Sequence, residues 1–375
     1  MKVLIISVKA GYGHHSASKA LIECFEQRGI KSDMLDTFDY ISPVLSESID
    51  KGYQFSSKNL PELYGKAYDV LDKRTEKYKA FAPISIISKM VSHKLFEYIK
   101  DYNPDAIIAP HSLACMAITC LKQKNEITCP TIGIVTDFTV HPFWESTDMD
   151  YYVTPDAVLN NQMRKKGIKD DKILPFGIPI RAEFFEKQDK SQMRNKLKVA
   201  NMPTVLFMMG SMGFGDMAKQ LEEIDEMDLD FQILCVCGNN EKMKSEIDQR
   251  RWIHKVVTFG FVDNVNELMD ASDCIVTKPG GLTTSEFLAK GLPAVIMNPI
   301  PGQEDRNMEF LVNNGVAVMA TQTFGIDEAL YQILTNTWRL DLMQQAAQHL
   351  AKPNSTATLC DFVENLVNSQ KGDTK

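Results

Sequence analysis

What the 375-residue chain lacks narrows the field first. No stretch reaches the ~20 consecutive apolar residues that a membrane-crossing helix needs. Met1-Lys2 is followed by an apolar run, Val3 to Val8, that is too short and too soon interrupted by Gly11 for a signal peptide. The eight cysteines, at 24, 115, 120, 129, 235, 237, 274 and 360, include no repeated Cys-x-x-Cys pair at zinc spacing. Several sit in apolar runs such as Asp273-Cys274-Ile275-Val276, which reads as reduced core thiols of a cytosolic protein. A net charge of −8 gives no broad basic footprint, so nucleic acid is not an expected partner. Short repeats and low-complexity tracts are missing too; only Ser369 to Lys375 reads as a loose tail.

What is present is an alternation of apolar strands and helical stretches, in a chain long enough for two domains. Val3 to Val8 is a continuous apolar run suited to a parallel sheet covered on both faces. Gly11 and Gly13 break it, and a helical pattern from Ser16 to Arg28 is closed by Gly29. Further strands are expected at Lys31 to Phe38, Ala106 to Ala109, Thr131 to Val135 and Tyr151 to Val153. After a polar stretch from Arg181 to Asn201 the pattern restarts: Thr204 to Met209 runs into Gly210-Ser211-Met212-Gly213. Strands at Phe231 to Val236, Val256 to Phe259, Cys274 to Val276 and Ala294 to Ile296 follow. The reading is α/β, with two halves that each open on a strand and a glycine turn.

Three segments carry chemistry. Gly11-Tyr12-Gly13-His14-His15-Ser16 lies at the carboxyl end of the first strand, where doubly wound sheets hold ligands. Asp36 lies at roughly the ~20-residue spacing of a dinucleotide fingerprint, but Ser16 replaces its third glycine and two imidazoles crowd the turn. His14, at a helix start that disfavours imidazolium, is instead a candidate base; packing and capping are the plainer role for both histidines. In Lys278-Pro279-Gly280-Gly281-Leu282-Thr283-Thr284-Ser285-Glu286, the glycines let an anion approach backbone N–H groups at a helix start. Glu286, one turn on, suits a ribose diol or merely the helix dipole. Pro301-Gly302-Gln303-Glu304 then places an amide and a carboxylate, suited to sugar hydroxyls, after the strand Ala294 to Met297. Asp137, at the end of Ile132 to Thr136, precedes His141 and Trp144 in one loop. The Asp137/His141 spacing is that of a metal pair, weakened by Pro142 and by the want of a third ligand. Trp144 could touch an acceptor or pack as a lid.

Lys278 to Glu286 with Pro301 to Glu304 closely resembles the processive diacylglycerol glucosyltransferases and monogalactosyldiacylglycerol synthases. It is more distantly similar to the peptidoglycan lipid-intermediate N-acetylglucosaminyltransferase. Gly13 to Ala17, Val135 to Pro142 and Gly177 to Arg181 match as well, so the likeness runs to about residue 350. The resemblance implies a GT-B fold: two Rossmann-like domains facing across a cleft. Residues 1–180 would form an acceptor- and membrane-facing domain, joined by a returning helix near 351–370, and 181–350 would bind the nucleotide-sugar. It further implies that Glu286 holds the ribose, that the backbone of Gly280, Gly281, Leu282 and Thr283 receives the phosphates, and that Gly210 and Ser211 close over them. Gln303 and Glu304 would face the sugar, Phe261 and Val262 the uracil. His14 would be the base, with Asp137 as its competitor or partner, and His141 and Trp144 would lie on the acceptor side. No bound metal or other cofactor is implied; the UDP-sugar is a co-substrate and diacylglycerol or its glycosylated product the acceptor. Oxidoreductase, UDP-sugar 2-epimerase, N-acetylglucosaminyltransferase and sugar-sensor readings remain as alternatives.

Lys73 to Lys100 holds seven Lys/Arg (73, 74, 77, 79, 89, 94, 100) against Glu76 and Glu97. Phe81, Ile84, Ile86, Ile87, Met90, Val91, Leu95 and Phe96 interleave them. An ordinary amphipathic helix fits this pattern; so does docking on an anionic membrane. The resemblance favours docking, through Phe81, Ile84, Ile87, Lys89 and Lys94, with peripheral attachment to the inner face of the cell membrane.

Overall fold

The computed structural model describes residues 1–8, 12–41, 82–210 and 217–373. Six strands form a first parallel sheet: β1 (Lys2–Ser7), β2 (Lys31–Asp36), β3 (Ala106–Ala109), β4 (Thr131–Ile134), β5 (Tyr151–Val153) and β6 (Ile173–Leu174). Their order is β2-β1-β3-β4-β5-β6. Val3, Leu4, Ile5 and Ile6 are all fully buried, and alternation sends them to opposite faces. Val3 and Ile5 join the cluster containing Leu21 and Phe25, while Leu4 and Ile6 join that containing Leu95 and Ile118. A sheet covered on both sides explains the unbroken apolar run.

A second parallel sheet comprises β7 (Thr204–Met208), β8 (Gln232–Val236), β9 (Lys255–Phe259), β10 (Cys274–Thr277), β11 (Ala294–Ile296) and β12 (Ala317–Met319). Its order is β12-β11-β10-β7-β8-β9, the doubly wound order of dinucleotide-binding folds. All eight cysteines are free thiols.

The chain divides into two compact units: Met1–Ala182 with Pro301–Gln303 and Asn354–Lys375, and Glu183–Ile300 with Glu304–Pro353. Physical ties place the segment after Ala182 in the second unit. The buried Lys290 ammonium donates to the carbonyls of Glu183 and Glu186 and to Asp270. Arg194 and Lys190 likewise pair with Asp273. The terminal helix Ser355–Asp373 belongs to the first unit because Leu359, Cys360, Val363 and Val367 share a core with Val3 and Ile5. Ser355 and Thr356 donate to the carbonyls of Ile178 and Ile180, and Arg28 pairs with Asp361 and Glu364.

Element ends differ from the sequence reading where side chains intervene. The strand expected through Phe38 stops at Asp36, whose carboxylate accepts the Asp39 N–H at 2.9 Å and starts the helix Thr37–Ile41. Thr37 is drawn in by donating to the Ser7 carbonyl at 2.8 Å. The first helix begins at Tyr12, not Ser16, so His14 stands in its first turn.

Candidate functional site

Each unit carries one candidate site at the point where its strand order reverses, the usual ligand position in open parallel sheets. In the first unit that point lies between β1 and β3. His14 sits on the helix Tyr12–Gln27 after β1, and Pro110 and His111 follow β3. His14 Nδ1 lies 2.8 Å from the Pro110 carbonyl and 3.1 Å from Thr136 Oγ1. A carbonyl only accepts, so Nδ1 carries the proton and Nε2 keeps a bare lone pair. Burial pushes the ring down to about 4; the Pro110 hydrogen bond works upward against it and His15 adds a further lowering. The ring is therefore neutral at physiological pH, a base with its tautomer fixed.

His111 escaped the sequence reading. Its ring stands edge-on to His14, with centroids 4.6 Å apart at 75°. Its Nδ1 accepts the Leu113 N–H, capping the helix Ser112–Gln123 and leaving the hydrogen on Nε2. Burial, then His14 and His141, hold it well below the ordinary histidine value. The available signal was its place after Pro110 at the strand end beside β1. His15 turns away to Asp36, at 2.9 Å.

Asp137 is half-buried on the loop after β4, one residue beyond the Thr136 that touches His14. His141 caps the 3-10 turn Pro142–Ser146 through its Nδ1. Of the two roles open to Trp144, the packed one is seen. It is 4% exposed, edge-on to Tyr152, against a Gly133 whose missing side chain makes room for the indole.

The second unit's switch point lies between β7 and β10. The helix Gly281–Ala289 starts after β10 with three residues between. Gly280 is its N-cap and offers no side chain, and the first intrahelical bond runs from the Thr284 N–H to the Gly280 carbonyl. The N–H groups of Gly281, Leu282 and Thr283 thus have no intrahelical acceptor and form an anion socket at the positive end of the helix dipole. Glu286 is half-buried in the second turn. Gly210, at φ 79°, follows β7 by two residues, its α-hydrogen side facing the Lys278 stem. Phe261, after β9, is 65% exposed, and Val262 is half-buried.

Glu304 has partners that the sequence did not suggest. It is 4% exposed, and its carboxylate receives the Lys278 ammonium at 2.6 Å and the Ile300 N–H at 2.9 Å. Gln303, by contrast, is only half-buried at the start of the helix Gln303–Asn313. Asn307, given no chemistry from sequence, is fully buried and donates to the Pro279 carbonyl at 3.0 Å.

Ser211 and Phe81 lie outside the described residues, as do the side chains of Ile84, Ile87 and Lys89. In the described part of the helix Ala82–Tyr102, Lys94 is exposed. Leu95 and Ile99 are buried and Phe96 packs on the core, so this end is an ordinary amphipathic helix and Leu95 and Phe96 are not surface groups.

Residues 14–180 match the family described as monogalactosyldiacylglycerol (MGDG) synthase, and residues 204–359 match the glycosyltransferase family 28 C-terminal domain. A processive diacylglycerol beta-glucosyltransferase of Bacillus pumilus (strain SAFR-032) is 30% identical over 369 residues, spanning 97% of this chain and 94% of the relative. MurG of Acinetobacter baumannii shares the fold with a TM-score of 0.63 at 15% identity, covering 97% of this chain and 100% of that one. The UDP-GlcNAc 2-epimerase from Neisseria meningitidis, solved bound to UDP-GlcNAc, gives 0.61 at 14% identity with coverage of 97% and 100%.

Two Rossmann-like units of this order have the GT-B architecture, and the family matches make the chain a glycosyltransferase of that class. Within that class the chain belongs to the processive diacylglycerol glucosyltransferase and monogalactosyldiacylglycerol synthase family.

Proposed function

We propose that this protein transfers a hexose, glucose or galactose, from a UDP-sugar to diacylglycerol or glycosyl-diacylglycerol with inversion, giving a β-linked membrane glycolipid. The observation that carries the reading is the uncapped start of the helix Gly281–Ala289 at its sheet's switch point. Three backbone N–H groups there suit a diphosphate. The acceptor oxygen attacks the anomeric carbon and forms the new C–O bond as the bond to the UDP oxygen breaks. His14 Nε2 takes the hydroxyl proton. A ring held near 4 is a weak base alone, so proton removal runs with oxygen attack rather than ahead of it. Asp137 is the partner or rival for this role. The charge growing on UDP is met by the N–H groups of Gly281 to Thr283, with no metal required. Glu286 takes the ribose, and Phe261 and Val262 the uracil.

Among the described residues no helix is long and apolar enough to cross a membrane. We place the enzyme peripherally on the inner face of the cell membrane, with the basic stretch Lys73 to Lys100 toward anionic lipid. The test is incubation with UDP-glucose or UDP-galactose and diacylglycerol vesicles, followed by identification of the lipid products. A β-hexosyl lipid is expected. A donor epimerised with no lipid product, or UDP bound with no turnover, would replace the transferase reading by the epimerase or sensor one.

A further inference from the structure

The three strand ends that bound the anion socket meet on one ion pair. Lys278 follows β10; its ammonium contacts Glu304 at 2.6 Å, with the two side chains 16% and 6% exposed. The other Glu304 oxygen holds the Ile300 N–H of the loop after β11 at 2.9 Å. The Lys278 stem packs against Gly210: its Cε is 3.1 Å from where a Cβ on that residue would stand. A side chain at 210 would need left-handed backbone, at φ 79°, and would also strike the stem. Asn307 ties the same helix to the Pro279 carbonyl. Glu304 Oε1 lies 3.7 Å from the Cβ position of Gly280, the residue that caps the socket.

This arrangement carries a charge problem and its answer. A nearly buried carboxylate beside a socket for an anion would repel that anion in a medium of low effective dielectric. The Lys278 ammonium cancels it while leaving the carboxylate free to anchor Ile300. We propose that Lys278 and Glu304 are the positioning pair of the donor site: Glu304 fixes the loops after β10 and β11, and Lys278 both props the loop after β7 and neutralises Glu304, so that neither is a sugar-reading group. This deepens the donor reading above and rests on it.

Calorimetry with UDP and, separately, with the UDP-sugar tests the pair in wild type, Glu304→Gln, Lys278→Met and the double variant. Wild type must bind UDP; if it does not, the donor reading itself fails, whatever the variants do. Given that binding, each single change should weaken UDP by about tenfold or more, as loss of a charge-assisted hydrogen bond would. Lys278→Met should cost more than Glu304→Gln, because it leaves the carboxylate bare. The double variant should bind UDP better than Lys278→Met alone, since the amide at 304 carries no charge. The proposal is overturned if Glu304→Gln binds UDP normally and loses affinity only for the UDP-sugar, or if the double variant loses the sum of both single effects. Should Lys278→Met fail to fold, the UDP against UDP-sugar comparison in Glu304→Gln decides alone.

Discussion

At the carboxyl end of β1 the candidate site is made of side chains, whereas beyond β10 it is made of backbone. The first switch point gathers His14, His111 and Thr136, with the Pro110 carbonyl holding one imidazole tautomer. The second presents N–H groups of Gly281, Leu282 and Thr283 around a cap with no side chain. The difference follows from the chemistry asked of each. Moving a proton requires a titratable group whose lone pair is kept available, while receiving a diphosphate requires fixed donors that need not titrate. A single side-chain change should remove the base of the first site, whereas in the second the N–H donors themselves can be removed only by a change of backbone.

That contrast sets the two largest predicted effects. His14→Ala should lower turnover on the order of a thousandfold, the scale of general base catalysis, while UDP affinity stays as in wild type. Steady-state kinetics beside UDP calorimetry checks this, and near-normal turnover would remove His14 from the mechanism. Gly281→Pro is the backbone counterpart. Proline suits the first helical position, and Gly280 already has φ −69° and ψ 140°, the extended geometry that a following proline demands. The change therefore deletes one N–H donor and leaves the first intrahelical bond, Thr284 to Gly280, in place. Turnover should fall about a hundredfold with little change in melting temperature. Full activity in the folded variant would mean that this donor does not meet the leaving group.

The two sites were unequally legible in the sequence. The candidate socket was visible because a backbone site needs glycines close behind a strand, and Gly280-Gly281 follows Cys274 to Thr277 after only Lys278 and Pro279. The alternation of apolar runs marked five strands of each sheet for the same reason, each strand's environment being written locally, but missed the short edge strands β6 and β12. His14 could be singled out, but its fixed tautomer could not, since the Pro110 carbonyl lies 96 residues away in the chain. His111 stayed hidden because a single histidine after a proline has no motif. The pairing of Glu304 could not be read because its partner Lys278 is 26 residues distant, and a carboxylate beside a glutamine in a loop suggests a sugar ligand on sequence alone. Trp144 depended on a fit that spacing cannot express: its indole lies over Gly133, a strand position with no side chain.

A smaller effect sharpens the division between binding and chemistry. Glu286→Ala should weaken UDP about tenfold through lost ribose hydrogen bonds, and leave turnover at saturating donor close to wild type. Titration calorimetry checks it; unchanged donor affinity would return Glu286 to its plainer role beside the helix dipole. His14→Ala should show the opposite split, with binding kept and turnover lost.

The smallest expected effect concerns stability and comes only from the side-chain site. The folded ring of His14 is held near 4, against 6.5 for an ordinary histidine. Above pH 6.5 the ring is neutral in folded and unfolded chains alike and contributes nothing to the pH dependence. As pH falls from 6.5 toward 4, the unfolded chain takes up a proton that the folded chain refuses, so stability is progressively lost across that window. His111 is shifted in the same direction and adds to the slope. His14→Gln removes one of these groups while keeping a polar side chain. Its melting temperature should therefore fall less between pH 7 and pH 5 than that of wild type. Parallel curves for the two proteins would mean that His14 titrates alike folded and unfolded, and that burial does not keep its lone pair free. The backbone socket has no group that titrates in this range, so Gly281→Pro should run parallel to wild type across the same pH interval.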